Sequence, residues 1–271
     1  MALAGSAFAT RQNYIRGIRA LILHYQSLPE ACSVDELKAF LVFQRDKCNF
    51  SSSTVNLRVC GLKYYFREVV YRPDLVVKIP NPRVQKYDTD ILTIEEVKLL
   101  FQCCRDMRQV LLLHLLYDTG LRVREVIRLC PSDFDKHNRT ITIRKSKGDK
   151  TRTVFYSDKL RNTLNKYCKV RGSLPTNTLL ESYKEKGSPL TTNGVRYVIR
   201  QIVKRSGIKK KIAPHSFRHT FAVHYLNRGG SIFLLQKLLG HEYITTTLNY
   251  LKYAKLPDGV HISILDELQN N

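Results

Sequence analysis

Residues 140–156 read TITIRKSKGDKTRTVFY. Thr140 to Arg144 alternates with a period of two, Gly148-Asp149 supplies a turn, and Thr151 to Tyr156 is rich in β-branched and aromatic residues, which together predict a β-hairpin. The sequence on either side follows a helical period. Upstream, Thr93 with Glu96 forms a capping-box signature, and Val110 to Tyr117 predicts a buried helix that ends at Asp118-Thr119-Gly120. Downstream, helical patterns run from Asp158, from Asn193 to Ser206, and from about His215 onward. A single hairpin set among helices predicts a mainly α chain with a small antiparallel sheet, the α+β class.

Further toward the N-terminus, the stretch Lys78 to Asp90, KIPNPRVQKYDTD, has no apolar periodicity and reads as a linker. Ahead of it, Tyr14, Ile18, Leu21 and Tyr25 recur at helical spacing. Ser33 with Glu36 caps the run Leu37 to Phe43, and Ser53 opens another helical run through Val70. The expected organisation is a small helical domain over 1–80, a linker over 81–90, a second domain over 91–256 and a C-terminal tail over 257–271.

At 271 residues the chain is long enough for two cores. It carries 45 basic and 23 acidic side chains, a net charge of +22, a field that attracts polyanions and points to nucleic acid as partner. The charge is uneven, with 13 basic and 8 acidic residues in 1–90 against 32 and 15 in 91–271. The longest apolar run, Val110 to Tyr117, is interrupted by His114 and is too short to cross a bilayer, so no membrane role is expected. Seven cysteines without a CxxC spacing argue against a disulfide framework or a zinc site, and for a cytoplasmic protein without metal or cofactor.

The ordered motifs carry the chemistry. Gly120-Leu121-Arg122-Val123-Arg124-Glu125 opens a helix, Lys147-Gly148 sits on the hairpin, and His215-Ser216-Phe217-Arg218 opens another helix. Leu238-Leu239-Gly240-His241 and Thr246-Thr247-Leu248-Asn249-Tyr250 follow. This order and spacing resembles the tyrosine recombinase (integrase) family over about 91–253. The first domain resembles the family's SAM-like, helical core-binding DNA-binding domain in size, position and helical pattern. The resemblance implies a catalytic set of Arg122, Lys147, His215, Arg218, His241 and the nucleophile Tyr250, with Glu125 beside the first arginine. Leu251-Lys252 stands after the tyrosine where many members have Thr-His.

What the resemblance implies is a site-specific DNA recombinase that stores the phosphodiester as a covalent 3′-phosphotyrosine, without metal or ATP. Two guanidinium forks, Arg122 and Arg218, are expected to bind the phosphate bidentately. Lys147 is the expected acid for the departing 5′ hydroxyl, and His215 and His241 are expected to donate to phosphate oxygens or help deprotonate Tyr250. The implied partners are double-stranded DNA with inverted-repeat core sites and further copies of the chain, two per site and four in a synapse. In the tail, Val260, Ile264 and Leu268 share a helical face, while Val260-Ile262-Ile264 also alternates like a short strand; the resemblance implies a segment that docks on a neighbouring protomer, against the alternative of packing back on its own domain. A type IB topoisomerase, or a DNA-binding protein that keeps the fold without turnover, are the alternatives.

Overall fold

The computed structural model describes residues 8–82, 90–144, 151–172, 177–183, 185 and 187–255. Lys147, the Gly148-Asp149 turn, most of 81–90 and the 257–271 tail therefore lie outside the described residues. The chain divides into two compact units, Met1–Asp88 and Thr89–Asn271.

The first unit is helical: α1 (Phe8–Tyr25), α2 (Val34–Asp46), α3 (Ser52–Glu68) and α4 (Pro73–Lys78). Ser33 and Glu36 close a full capping box on α2, since the Ser33 side chain accepts from the Glu36 amide and the Glu36 carboxylate accepts from the Ser33 amide. The start of α3 differs slightly from expectation. Ser51, not Ser53, is its cap, accepting from the amide of Thr54 at 3.3 Å. Leu21, Leu37, Phe40, Val59, Leu62 and Phe66 are fully buried and form the centre of this unit's own core.

The second unit contains α5 (Ile94–Gln102), α6 (Met107–Asp118), α7 (Val123–Val126), β1 (Phe134–Asp135), β2 (Thr140–Ile143), β3 (Arg152–Phe155), α8 (Asp158–Arg171), α9 (Thr192–Ser206), α10 (Pro214–Asn227), α11 (Ile232–Leu239) and α12 (Ile244–Leu248). Leu111, Leu112, Leu113, Leu115 and Leu116 are all buried, so α6 is apolar on nearly every side and packs against both α8 and α10. The sheet is antiparallel in the order β1-β2-β3. Its third strand, β1, is two residues long and carries no periodicity to read. Across the hairpin Ile141 faces Val154 and Ile143 faces Arg152, so the inward face reads Ile, Ile, Val and one arginine. No helix among the described residues is long and apolar enough to cross a membrane.

Candidate active site

Residues from the α6–α7 turn, β3, α10 and the loop after α11 meet around the C-terminal end of α11. The α6–α7 turn depends on Gly120, which has φ +61°; a Cβ there would lie 2.4 Å from the Phe221 ring. The turn aims the Gly120 carbonyl at Arg218, whose Nη1 donates to it at 2.9 Å. Two residues on, Arg122 caps α7, giving its amide to Glu125 Oε2 at 2.8 Å and its Nη1 to Glu125 Oε1 at 3.3 Å.

The helix α11 ends in Gly240, left-handed at φ +64°, whose amide returns to the carbonyls of Gln236 and Lys237. That closure leaves the carbonyls of Leu238 and Leu239 without helical donors. Three arginines take them. Arg152 Nε donates to Leu238 O at 2.9 Å, while Arg218 Nη2 at 2.8 Å and Arg122 Nη1 at 3.4 Å donate to Leu239 O. The negative end of the helix dipole thus holds together guanidinium groups that would otherwise repel one another. Glu125 is the carboxylate in their midst. Burial pushes its pKa up, but the hydrogen bonds and charges of Arg152 and Arg122 pull it down further, to a net value below the usual carboxylate range.

The two motif arginines are not equivalent, contrary to the expectation of two open forks. Arg218 has 1% of its surface exposed. Its Nη2 serves both Leu239 O and His241 Nε2, the latter at 2.9 Å, and its Nη1 serves Gly120 O. Both two-donor edges of a guanidinium use Nη2, so Arg218 has single N–H groups left to offer but no free edge. Burial, then repulsion by Arg122, brings its pKa down to about 10, which leaves it charged at neutral pH. In Arg122 the Nη1 is engaged, while the Nε–Nη2 edge makes none of the described contacts and the side chain is 42% exposed. With Arg124, Asn193, Arg196 and His215 it lines a cavity of about 440 Å³.

The histidines also differ from one another. Because the Arg218 N–H donates to His241 Nε2, that nitrogen carries no proton, and Nδ1–H donates to Thr247 Oγ1 at 2.9 Å. Burial first, and then the charges of Arg218, Arg122 and Arg152, bring the His241 pKa down to about 4. With both nitrogens engaged, His241 orients Arg218, and a hydrogen bond from it to a phosphate requires rearrangement. His215 lies at the exposed head of α10, and desolvation in the cleft followed by the charges of Arg218 and Arg122 lowers its pKa.

Tyr250 is 4% exposed, packed on Ala222, Val223, Leu226, Leu235 and Leu239. Its ring stacks on His241, with 6.1 Å between centres, and meets the edge of His219 at 5.3 Å. His219 meets His215 in turn at 4.4 Å. Burial pushes the phenol pKa up, and Arg218, by charge and hydrogen bond, offsets part of the rise. Of the neighbouring tyrosines, Tyr243 is 66% exposed, and Tyr253 packs at the margin of the same apolar cluster.

Five of the six residues singled out from the sequence, Arg122, His215, Arg218, His241 and Tyr250, come together here, and the sixth, Lys147, lies outside the described residues. Sequence reading passed over Arg152 and His219, and it used Thr247 only as part of the motif that marks Tyr250, without a role of its own. For Arg152 a signal existed, an arginine at an inward position of an otherwise apolar hairpin face. For His219 none stood out, and the motif gave no role to Thr247, because their importance lies in contacts with residues 31 and 6 positions away.

Comparison with known proteins matches residues 90–256 to the phage integrase family and residues 1–74 to the phage integrase N-terminal SAM-like domain. The tyrosine recombinase XerA of Pyrococcus horikoshii is 32% identical over 206 residues, covering 76% of this chain and 71% of that one. A putative integrase/recombinase of Sinorhizobium fredii, y4qK, is 27% identical over 246 residues, covering 90% and 79%. The fold is similar to that of the Tn1549 transposon integrase solved with a circular intermediate DNA, with a TM-score of 0.74 at 21% identity, covering 98% of this chain and 95% of that one. With more than half its length matched by the family model, the chain belongs to the phage integrase family, the tyrosine recombinases, and is a site-specific recombinase that transfers DNA strands.

Proposed function

We propose that this recombinase breaks and rejoins duplex DNA through a 3′-phosphotyrosyl intermediate on Tyr250. It acts in the cytoplasm as two protomers on each inverted-repeat core site and as a cyclic tetramer when two sites pair. The observation that carries the reading is the convergence of a buried phenol with Arg218, His219 and His241 beside the open guanidinium edge of Arg122. The phosphate enters on the Arg122 side, where a two-donor edge and the basic cavity favour a dianionic transition state. Tyr250 Oη attacks phosphorus as the bond to the 5′ oxygen breaks, and the leaving oxygen takes a proton from Lys147. The phenol proton passes to a neutral imidazole, for which the depressed pKa of His215 keeps the ring unprotonated at pH 7. The bond energy stays in the phosphotyrosine until a 5′ hydroxyl attacks it. Fourteen Tyr and many Lys residues elsewhere in the chain could mimic these roles, so position is tested directly.

The test uses a nicked duplex built on the inverted repeats flanking the gene. Tyr250→Phe is expected to bind this DNA with unchanged affinity and to form no denaturant-stable adduct. Survival of the adduct in Tyr250→Phe, with loss in Tyr253→Phe or Tyr243→Phe, refutes the assignment. On the same duplex with a bridging 5′ sulfur, which needs no proton to leave, Lys147→Ala is expected to regain cleavage; continued inactivity with binding intact moves the acid elsewhere.

A further inference from the structure

Arg152 is an arginine on the buried face of a hairpin, and its side chain is only 10% exposed. It does not face the cavity that Arg122 and His215 line. Its Nη1 and Nη2 each donate to one oxygen of Glu125 at 2.8 Å, and its Nε donates to Leu238 O at 2.9 Å, so each of its three nitrogens has a partner within the protein. The corner it enters is shaped for it. A Cβ on Gly240 would lie 3.0 Å from Arg152 Cδ and Nε, so the glycine makes room for the arginine stem as well as for the turn.

We infer that Arg152 is a positioning residue for strand cleavage: it fixes the Glu125 carboxylate and the end of α11, and through them the open edge of Arg122. The chain of contacts is direct. Glu125 holds both the amide and the Nη1 of Arg122, and Leu239 O, next to the carbonyl that Arg152 caps, receives both Arg122 and Arg218. Arg152 also begins β3, where it pairs with Ile143 of β2, so the described base of the hairpin is tied to the same corner. A bidentate pair fixes two directions at once, which a single charge cannot do. The charged groups facing Glu125 are Arg122 from α7, Arg152 from β3 and Arg218 from α10, with His241 facing Arg152 from the loop after α11. Without Arg152, the half-buried carboxylate loses its strongest partner and protonates at higher pH, which releases Arg122.

The inference rests on the proposed cleavage reaction, so the wild-type protein must first form the Tyr250 adduct on the nicked duplex; failure at that point refutes the reaction, not Arg152. Given the adduct, Arg152→Ala is expected to bind DNA within about 3-fold of wild type and to cleave about 10²-fold more slowly in a single turnover, the scale of a small misplacement of a reacting group. Its rate should rise with pH along an acid limb that lies higher than any in wild type, as Glu125 ionises and recovers Arg122. Arg152→Lys should recover about tenfold of the loss. The double variant Glu125→Gln with Arg152→Met removes the buried charge pair, so it tests positioning even if Arg152→Ala folds poorly. It should be folded and slow, without the added pH limb. Cleavage by either variant within twofold of wild type, equal losses of binding and cleavage, or an unaltered pH profile in folded Arg152→Ala overturns the inference.

Discussion

Arg122 stands at the head of a one-turn helix with 42% of its side chain exposed, while Arg218 lies inside α10 with 1% of its surface exposed. Around Arg122 are the cavity, Arg124, Arg196 and the exposed His215; around Arg218 are two backbone carbonyls, His241 and the Tyr250 ring. The site therefore has an open half and a sealed half. An open guanidinium keeps its fork for an incoming phosphate, and its charge is screened until DNA excludes water. A sealed guanidinium is held in place by acceptors of its own. It adds a fixed positive charge beside the phenol, whose ionised form that charge favours.

The comparison is broken most directly by treating both arginines alike. Arg122→Lys should leave unfolding free energy within about 1 kcal/mol of wild type, because a partly exposed side chain whose two contacts, to Glu125 Oε1 and Leu239 O, are both long contributes little. Cleavage should fall by about 10²–10³, the usual cost of losing one oriented transition-state donor. Arg218→Lys should abolish cleavage and also lower unfolding free energy by about 2–4 kcal/mol, since a lysine cannot reach Gly120 O, Leu239 O and His241 Nε2 together. Urea denaturation alongside single-turnover cleavage measures both. Equal stability losses in the two variants would erase the division into halves.

A smaller effect sharpens the sealed half. Thr247 is fully buried and accepts the Nδ1 proton of His241, so Thr247→Val keeps the shape and removes the acceptor. The expected cost is about 1–2 kcal/mol for the orphaned donor. Cleavage should drop about tenfold as the His241 tautomer, and with it the orientation of Arg218, loses definition. Nitrogen NMR of His241 reads this directly: wild type should show the proton on Nδ1, and the variant a mixture. An unchanged spectrum would mean that Arg218 alone fixes the ring.

These contrasts also explain what the sequence could and could not reveal. The capping boxes at Ser33 and Thr93, the buried α6 and the alternating hairpin are local patterns, and each was legible because three to eight neighbouring residues decide it. The site residues were legible as ordered types, Arg, His-x-x-Arg, His and Tyr. Their division into an open and a sealed set was not, because it is made by backbone atoms. The carbonyls of Gly120, Leu238 and Leu239 have no letter in the sequence, and they are what distinguishes Arg218 from Arg122. Arg152 stands out in the sequence only as an arginine on an otherwise apolar strand face, and its partner, the carbonyl of Leu238, lies 86 positions away.

The smallest expected effect separates the halves by pH. His219 and His241 sit at pKa values of about 4, with burial as the main cause in each, against about 6.5 for an unfolded histidine. Between these values the unfolded chain binds protons that the folded site refuses. Their contribution to stability is therefore complete above pH 6.5 and is lost as pH falls toward 4. Glu125, with its pKa lowered, has the same sign but acts in a more acidic window, below the ordinary carboxylate value of 4.5. Acidification from pH 7 to 5 should thus loosen the sealed half first. His114, His215 and His224, also lowered by burial, act with the same sign, so the site's share must come from a difference. His219→Leu, which keeps an apolar ring-sized neighbour for Tyr250, should flatten the loss of unfolding free energy between pH 7 and 5 by about 1 kcal/mol after solvent screening. A variant curve parallel to that of wild type would show that His219 accepts its proton without strain, and that the neutral imidazole beside the phenol is not part of what the fold protects.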